Sequence, residues 1–263
     1  MNASSAAPKK GELPASDVRE FRAKLKEFLD AKDDQGRAWS NAQWGVYAFY
    51  DYDGEPIYVG QTNEMLRVRI GRHLTNQRTD AVAMRILDVF EVAQVKIWPL
   101  WEYEGVTKKK DPDAFEKAKV HLNQCEYSAY LDAIENSKYK AILNEKIPPV
   151  SPRCDLPPSF ERSLLTDHIR HEREHPDIRI ARRAETISRL AAVARERGEV
   201  SAGLWRVLVV QAIRLTHLAS QRLAYIEGRH GPEPSAIDTS QLVGDVHKES
   251  PGTGAETGED ELG

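Results

Sequence analysis

Cysteine is scarce in this chain. Its 263 residues include two, Cys125 and Cys154. They have neither metal-ligand nor redox-motif spacing, which excludes a disulfide framework and points to reduced thiols in a cytoplasmic protein. Long apolar runs are missing as well. The most apolar segment, "LWRVLVVQAIRLTHLA", is interrupted by Arg206 and Arg214, so nothing reaches the ~20 residues that span a bilayer. The opening "MNASSAAPKKGELPAS" lacks the apolar core of a secretory signal. There are no internal repeats. Nor is there an excess of base: the net charge is -4, a weak argument against a nucleic-acid partner. That acidity is local, however. Beyond Val243 six acids face the single Lys248, leaving the rest of the chain near neutral.

What is present has clear organisation. Residues 1–15 read as a disordered N-terminus. From Ser16, Val18, Phe21, Leu25, Phe28 and Leu29 recur at helical spacing. "GVYAFYDYDGEPIYVG" (45–60) reads as a hairpin turning at Asp53-Gly54. A basic amphipathic helix follows from about Glu64 to Leu74, and "DAVAMRILD" reads as a second, shorter helix. "FEVAQVKIWPL" reads as a third strand ending near Pro99. Asp111 and Pro112 are suited to start a long helix containing "VHLNQCEYSAYLDAI". Prolines then close a first unit, 16–150. Residues 159–230 read as two or three helices, and 231–263 as a disordered acidic tail.

The hairpin raises a chemical question. If it closes at Asp53-Gly54, Ala48 faces Val59, Tyr50 faces Ile57, and Tyr47 lies opposite Gly60. Side chains alternate along a strand, so Tyr47 and Tyr58 share one face as diagonal neighbours, and Gly60 leaves space above the Tyr47 phenol. Packing alone would explain two tyrosines in a hairpin. The next residues say more: "LRVRIGRHLTNQR" carries Arg67, Arg69, Arg72, His73 and Arg78 without an acid. Arg69 and His73 are one helical turn apart, and that step favours Arg69 over Arg67 as the functional base. A basic stripe can face phosphates, although a solvated helix face has the same composition.

The ordered set Gly45-Val46-Tyr47, Tyr58-Val59-Gly60, Arg69 and His73 resembles the GIY-YIG nuclease superfamily, as found in the catalytic domain of type II restriction and related endonucleases. Valine replaces isoleucine in both triplets. The resemblance covers roughly residues 44–149. It implies an α+β fold with a small three-stranded antiparallel sheet flanked by helices, here followed by an α-helical C-terminal region. It also implies a metal-binding glutamate on a later helix and an asparagine beyond it, positions that Glu126 and Asn144 match in order and context. Glu126 has apolar neighbours at helical spacing and so reads as semi-buried, in preference to Glu116 or Glu135.

The implied activity is metal-dependent hydrolysis of DNA phosphodiesters, in restriction or phage defence, or else in repair or a mobile element. Mg²⁺ or Mn²⁺ would bind Glu126. Arg69 would bind phosphate oxygens. Tyr47 would activate or orient the attacking water, with nearby cations favouring its phenolate. Tyr58 would position phosphate or water, and His73 would relay a proton or hold the phosphate. Gly45, Gly60 and Asn144 would support the site, and Arg67, Arg72 and Arg78 would contact DNA. A nuclease-dead nucleic-acid-binding or oligomeric scaffold is the alternative of another class, and the intact residue set argues against it.

Two features stand apart. "HEREH" (171–175) satisfies the zinc-peptidase pattern H-E-x-x-H, but Pro176 ends its helix, its setting is highly charged, and only His217 or Glu227 offers a third ligand. Arg162, Arg170, Arg173, Arg179, Arg182, Arg183 and Arg189 give the C-terminal helices a basic character that suits a solvated bundle, a DNA clamp or an oligomerisation surface equally. A two-fold homodimer would suit a palindromic target.

Overall fold

A computed structural model describes residues 15–75 and 88–248. Helix α1 (Ser16–Leu29) buries Phe21, Leu25 and Phe28, the stripe its periodicity predicts. Strands β1 (Gly45–Tyr50) and β2 (Pro56–Thr62) form the expected hairpin, and α2 (Leu66–Thr75) follows. β3 (Gln94–Pro99) pairs with the other edge of β1, so the first strand is central. Val46, Tyr47, Ala48 and Phe49 are all fully buried, as expected of a strand covered on both faces. Helix α3 (Pro112–Asn136) packs across β1 and β2, with the Asp111 carboxylate accepting from the Ala114 amide and Pro112 in its first turn.

The sheet is α+β in character but has four strands, in the order β2-β1-β3-β4, all antiparallel. The additional strand, β4 (Phe160–Ser163), pairs Phe160 with Ile97 and Ser163 with Gln94. It corrects the expectation of three strands. "FERS" has almost no apolar alternation because an edge strand can be held chiefly by backbone pairing.

Hairpin register agrees with the expectation at Ala48–Val59 and Tyr47–Gly60, but Tyr50 lies opposite Pro56 rather than Ile57. The cause is Asp51. Its Oδ1 accepts from the amides of Asp53 and Glu55, widening the turn and shifting the register after Phe49. Gly54 takes the left-handed conformation that this turn requires (φ 74°).

Helices α4 (Asp167–Arg173), α5 (Pro176–Arg197) and α6 (Ala202–Ile226) follow. The paired α5 and α6 dock on the hairpin turn through buried charge. Arg183 Nη2 donates to Asp51 Oδ2 at 2.7 Å, and Arg179 Nη2 to Asp53 Oδ2 at 2.6 Å. Arg214 Nη2 donates to the Pro56 carbonyl at 3.0 Å, and Ser137 Oγ donates to Glu55 Oε2 at 2.6 Å. Of the seven arginines read as a basic surface, all but Arg162 form ion pairs within the chain.

The segment from Gly231, expected to be disordered, is packed as far as Lys248. Val243 and Val246 are buried, while Tyr130 and Tyr127 donate to the carbonyls of Val246 and His247. Averaged composition concealed these few anchors. Residues 1–14, 76–87 and 249–263, which include the expected N-terminal and terminal-tail disorder, most of the "DAVAMRILD" helix and Arg78, lie outside the described residues.

Candidate active site

β1 and β2 bring Tyr47 and Tyr58 together with ring centroids 6.0 Å apart. Helix α2 buries Leu66, Ile70 and Leu74; Arg69 and His73, on adjacent turns of that helix, are thereby directed at the tyrosines. Tyr47 Oη lies 2.8 Å from His73 Nε2, and Arg69 Nε donates to Tyr47 Oη at 3.4 Å. Tyr47 and His73 are buried, with Tyr58 and Arg69 only half so.

Gly60 and Gly45 allow this approach. A β-carbon at Gly60 would come within 2.6 Å of the Tyr58 ring and 2.8 Å of Tyr47 Oη. The space expected above Tyr47 is therefore filled by the two phenols themselves. A β-carbon at Gly45 would meet the Trp98 carbonyl at 2.8 Å and Leu66 at 2.9 Å, so this glycine lets α2 approach the sheet.

Glu126 is buried on α3, and burial pushes its carboxyl up to about 8, against the opposing pull of Arg69 and hydrogen bonds from Gln61. Its competitors differ sharply: Glu116 is exposed, and Glu135 is exposed and paired with Arg153. Asn144 lies on the loop after α3. Its Oδ1 accepts from the Val59 amide at 2.9 Å and its Nδ2 donates to the Val59 carbonyl at 2.7 Å. The side chain thus imitates a neighbouring strand on the open edge of β2. It ties to the sheet the loop that follows α3, not α3 itself.

Electrostatics set the resting state of the two tyrosines. Burial pushes the Tyr47 phenol well above its ordinary value, Tyr58 adds to the rise, and Arg69 offsets only part of it. Tyr58 is also raised, by burial and by Glu126. Against Arg69 alone desolvation prevails, so both tyrosines rest as neutral phenols. Burial, reinforced by Arg69 and Arg72, lowers His73 to about 3 and keeps its imidazole neutral.

Of the residues expected to contact DNA, Arg67 Nη2 pairs with Asp30 Oδ1 at 2.7 Å and Arg72 pairs with Glu64. The H-E-x-x-H pattern is split: α4 ends at Arg173, and His175 caps the next helix through Nδ1 to the Asp177 amide. Both nitrogens of His217 are engaged, by Tyr139 and the Pro232 carbonyl.

The family model described as the GIY-YIG catalytic domain matches residues 43–125. This chain carries a GIY-YIG nuclease domain. No curated protein and no solved structure matches the chain. The matched segment ends one residue before Glu126, so Glu126 and Asn144 stand on their positions beside the GIY-YIG tyrosines and strand. Sequence reasoning missed Gln61, which directly follows the second triplet. It pulls the Glu126 carboxyl down against burial and donates from Nε2 to Asn123 Oδ1 at 2.8 Å.

GIY-YIG nucleases are generally metal-dependent, and the residues here fit a divalent cation. Glu126 is a buried carboxylate short of positive charge, and Gln61 Oε1 is buried without a hydrogen-bond partner. An oxygen-seeking cation complements such donors. Among the described residues no helix is long and apolar enough to cross a membrane.

Proposed function

We propose that this protein is a DNA endonuclease dependent on Mg²⁺ or Mn²⁺, acting in restriction or phage defence, with Tyr47, Tyr58, Arg69, His73 and Glu126 as its catalytic residues. The observation that carries the reading is the contact sequence Arg69–Tyr47–His73 beside a buried Glu126. Packing alone would not leave a carboxylate in such a place.

In this reading Tyr47 works as a neutral phenol. Arg69 donates to the Tyr47 oxygen, and Tyr47 donates its own proton to neutral His73 Nε2. As water attacks phosphorus, its proton passes to Tyr47 Oη while the Tyr47 proton moves to His73, so no free phenolate is required. Burial makes His73 a weak base at rest, and the negative charge gathering on the phosphate strengthens it at that moment. The Arg69 guanidinium stabilises the equatorial oxygens, and Tyr58 fixes the direction of attack. Held by Glu126 with help from Gln61, the cation would neutralise charge at phosphorus and stabilise the departing oxygen. Asn144 keeps the edge of β2 closed, and Gly45 and Gly60 keep α2 and the phenols close.

Incubating supercoiled plasmid and unmodified phage DNA with Mg²⁺ tests the function. Discrete fragments from the wild type and none from Glu126→Ala support a site-specific nuclease. A folded wild type that leaves duplex and single-stranded DNA intact favours the scaffold reading instead.

A further inference from the structure

Cys125 and Cys154 are 29 residues apart, yet their sulfurs lie 3.6 Å from each other. His121 is one helical turn before Cys125 on α3, so both project from the same face. One ring nitrogen of His121 and the two sulfurs all lie within 4.8 Å of one another. We propose that His121, Cys125 and Cys154 form a binding site for zinc, separate from the oxygen-rich site at Glu126.

The geometry suits a tetrahedral ion. Two thiolates each about 2.3 Å from zinc sit about 3.8 Å apart, close to the observed separation. Both cysteines are free thiols, and 3.6 Å is far beyond the ~2.05 Å of a disulfide bond. The histidine is prepared in the manner of a zinc ligand. Tyr103 Oη lies 2.9 Å from His121 Nδ1, with Glu102 Oε1 at 3.5 Å. Such partners fix the tautomer and orientation of a metal-binding ring. Cys154 is held by its own amide, which donates to Ser128 Oγ on α3 at 3.0 Å. Two sulfurs and an imidazole select zinc over the hard cations that suit a lone carboxylate.

His121 and Cys154 are half-buried and Cys125 is buried, so water can reach the fourth coordination position. Binding replaces two thiol protons with one divalent ion, releases those protons to solvent and changes no oxidation state. The ion would join the loop bearing Cys154 to α3 at the residue before Glu126. It would therefore act as a staple that fixes the helix presenting the carboxylate.

The test is the metal content of the full-length chain purified without chelator, followed by cobalt(II) titration of the metal-free protein. The proposal predicts one zinc per chain and, with cobalt, thiolate charge-transfer absorption together with tetrahedral ligand-field bands that zinc abolishes. Cys154→Ser, at a half-buried position, loses the charge-transfer intensity of one thiolate and most of the affinity. Tyr103→Phe weakens zinc about 10–100-fold. Glu126→Gln retains the full spectrum, separating this site from the active centre. A folded wild type with no cobalt–thiolate absorption, whose two thiols react equally fast with and without zinc, overturns the proposal. So does a Cys125–Cys154 disulfide that forms in preference to zinc binding under mild reductant.

Discussion

At the end of β1, Asp51 is buried with Glu55 and Glu91 against Arg179, Arg183 and Arg214. Four residues earlier, Tyr47 is buried with His73 near Glu126, and among the described residues the cation that reaches the Tyr47 oxygen is the half-buried Arg69. The first cluster is matched in charge. Burial raises Glu91 against the pull of Arg183 and Arg179, whereas at the neighbouring Asp53 the Arg179 hydrogen bond and charge outweigh burial and hold the carboxyl below its ordinary range. The second cluster is unmatched, and its glutamate is pushed up to about 8. A matched cluster has little left to offer a ligand and serves to dock α5 and α6 on the hairpin. An unmatched one is stabilised by whatever brings the missing positive charge, which in the proposed function is a divalent cation.

Removing one partner from the matched cluster should have the largest effect on stability. Arg183→Ala removes the nearest cation from Asp51, leaving Arg179 at 3.7 Å and Arg214 at 3.8 Å, and lowers unfolding free energy by about 3 kcal/mol, read by denaturant titration, while the protein that remains folded cuts DNA at the wild-type rate. Arg69→Lys should do the opposite. It keeps the charge but loses the planar fork, so cleavage falls by about 10²–10³-fold with little change in melting temperature. Asn144→Ala falls between the two, because it unpairs the Val59 amide and carbonyl at the edge of β2. A loss of about 1–3 kcal/mol in stability is expected, with slower cleavage as β2 frays next to Tyr58.

The last effect, spread over several pH units, is a slope from His73. Its folded value of about 3 lies below the free value of 6.5. As pH falls through 6.5 the unfolded chain gains a proton that the folded chain refuses. His73 therefore favours the folded state above pH 6.5 and loses that contribution progressively towards pH 3, by at most about 1.4 kcal/mol per pH unit. Thermal melts of wild type and His73→Gln across that range should diverge with this sign.

Much of the second cluster was legible because its spacing is local. Tyr47 and Tyr58 follow from hairpin alternation, Arg69 and His73 from one turn of helix, and Glu126 from its apolar neighbours on α3. The first cluster was not. Arg179 and Arg183 read as surface charge because their partners, Asp53 and Asp51, lie more than a hundred residues earlier. The 29-residue separation of Cys125 and Cys154 concealed their contact for the same reason. β4 escaped notice because backbone pairing leaves little trace in side chains, and the register shift at Tyr50 because it arises from one Asp51 carboxylate accepting two amides.

The central claim is that the unmatched cluster cuts DNA while the matched one only holds the fold. Single-turnover cleavage of one DNA substrate with Mg²⁺, by Glu126→Gln and Arg183→Ala side by side at a temperature where both are folded, tests it most directly. The account predicts that Glu126→Gln is folded and inactive, and that Arg183→Ala is less stable yet cleaves at the wild-type rate. Undiminished cleavage by Glu126→Gln, or its loss in folded Arg183→Ala, would contradict it.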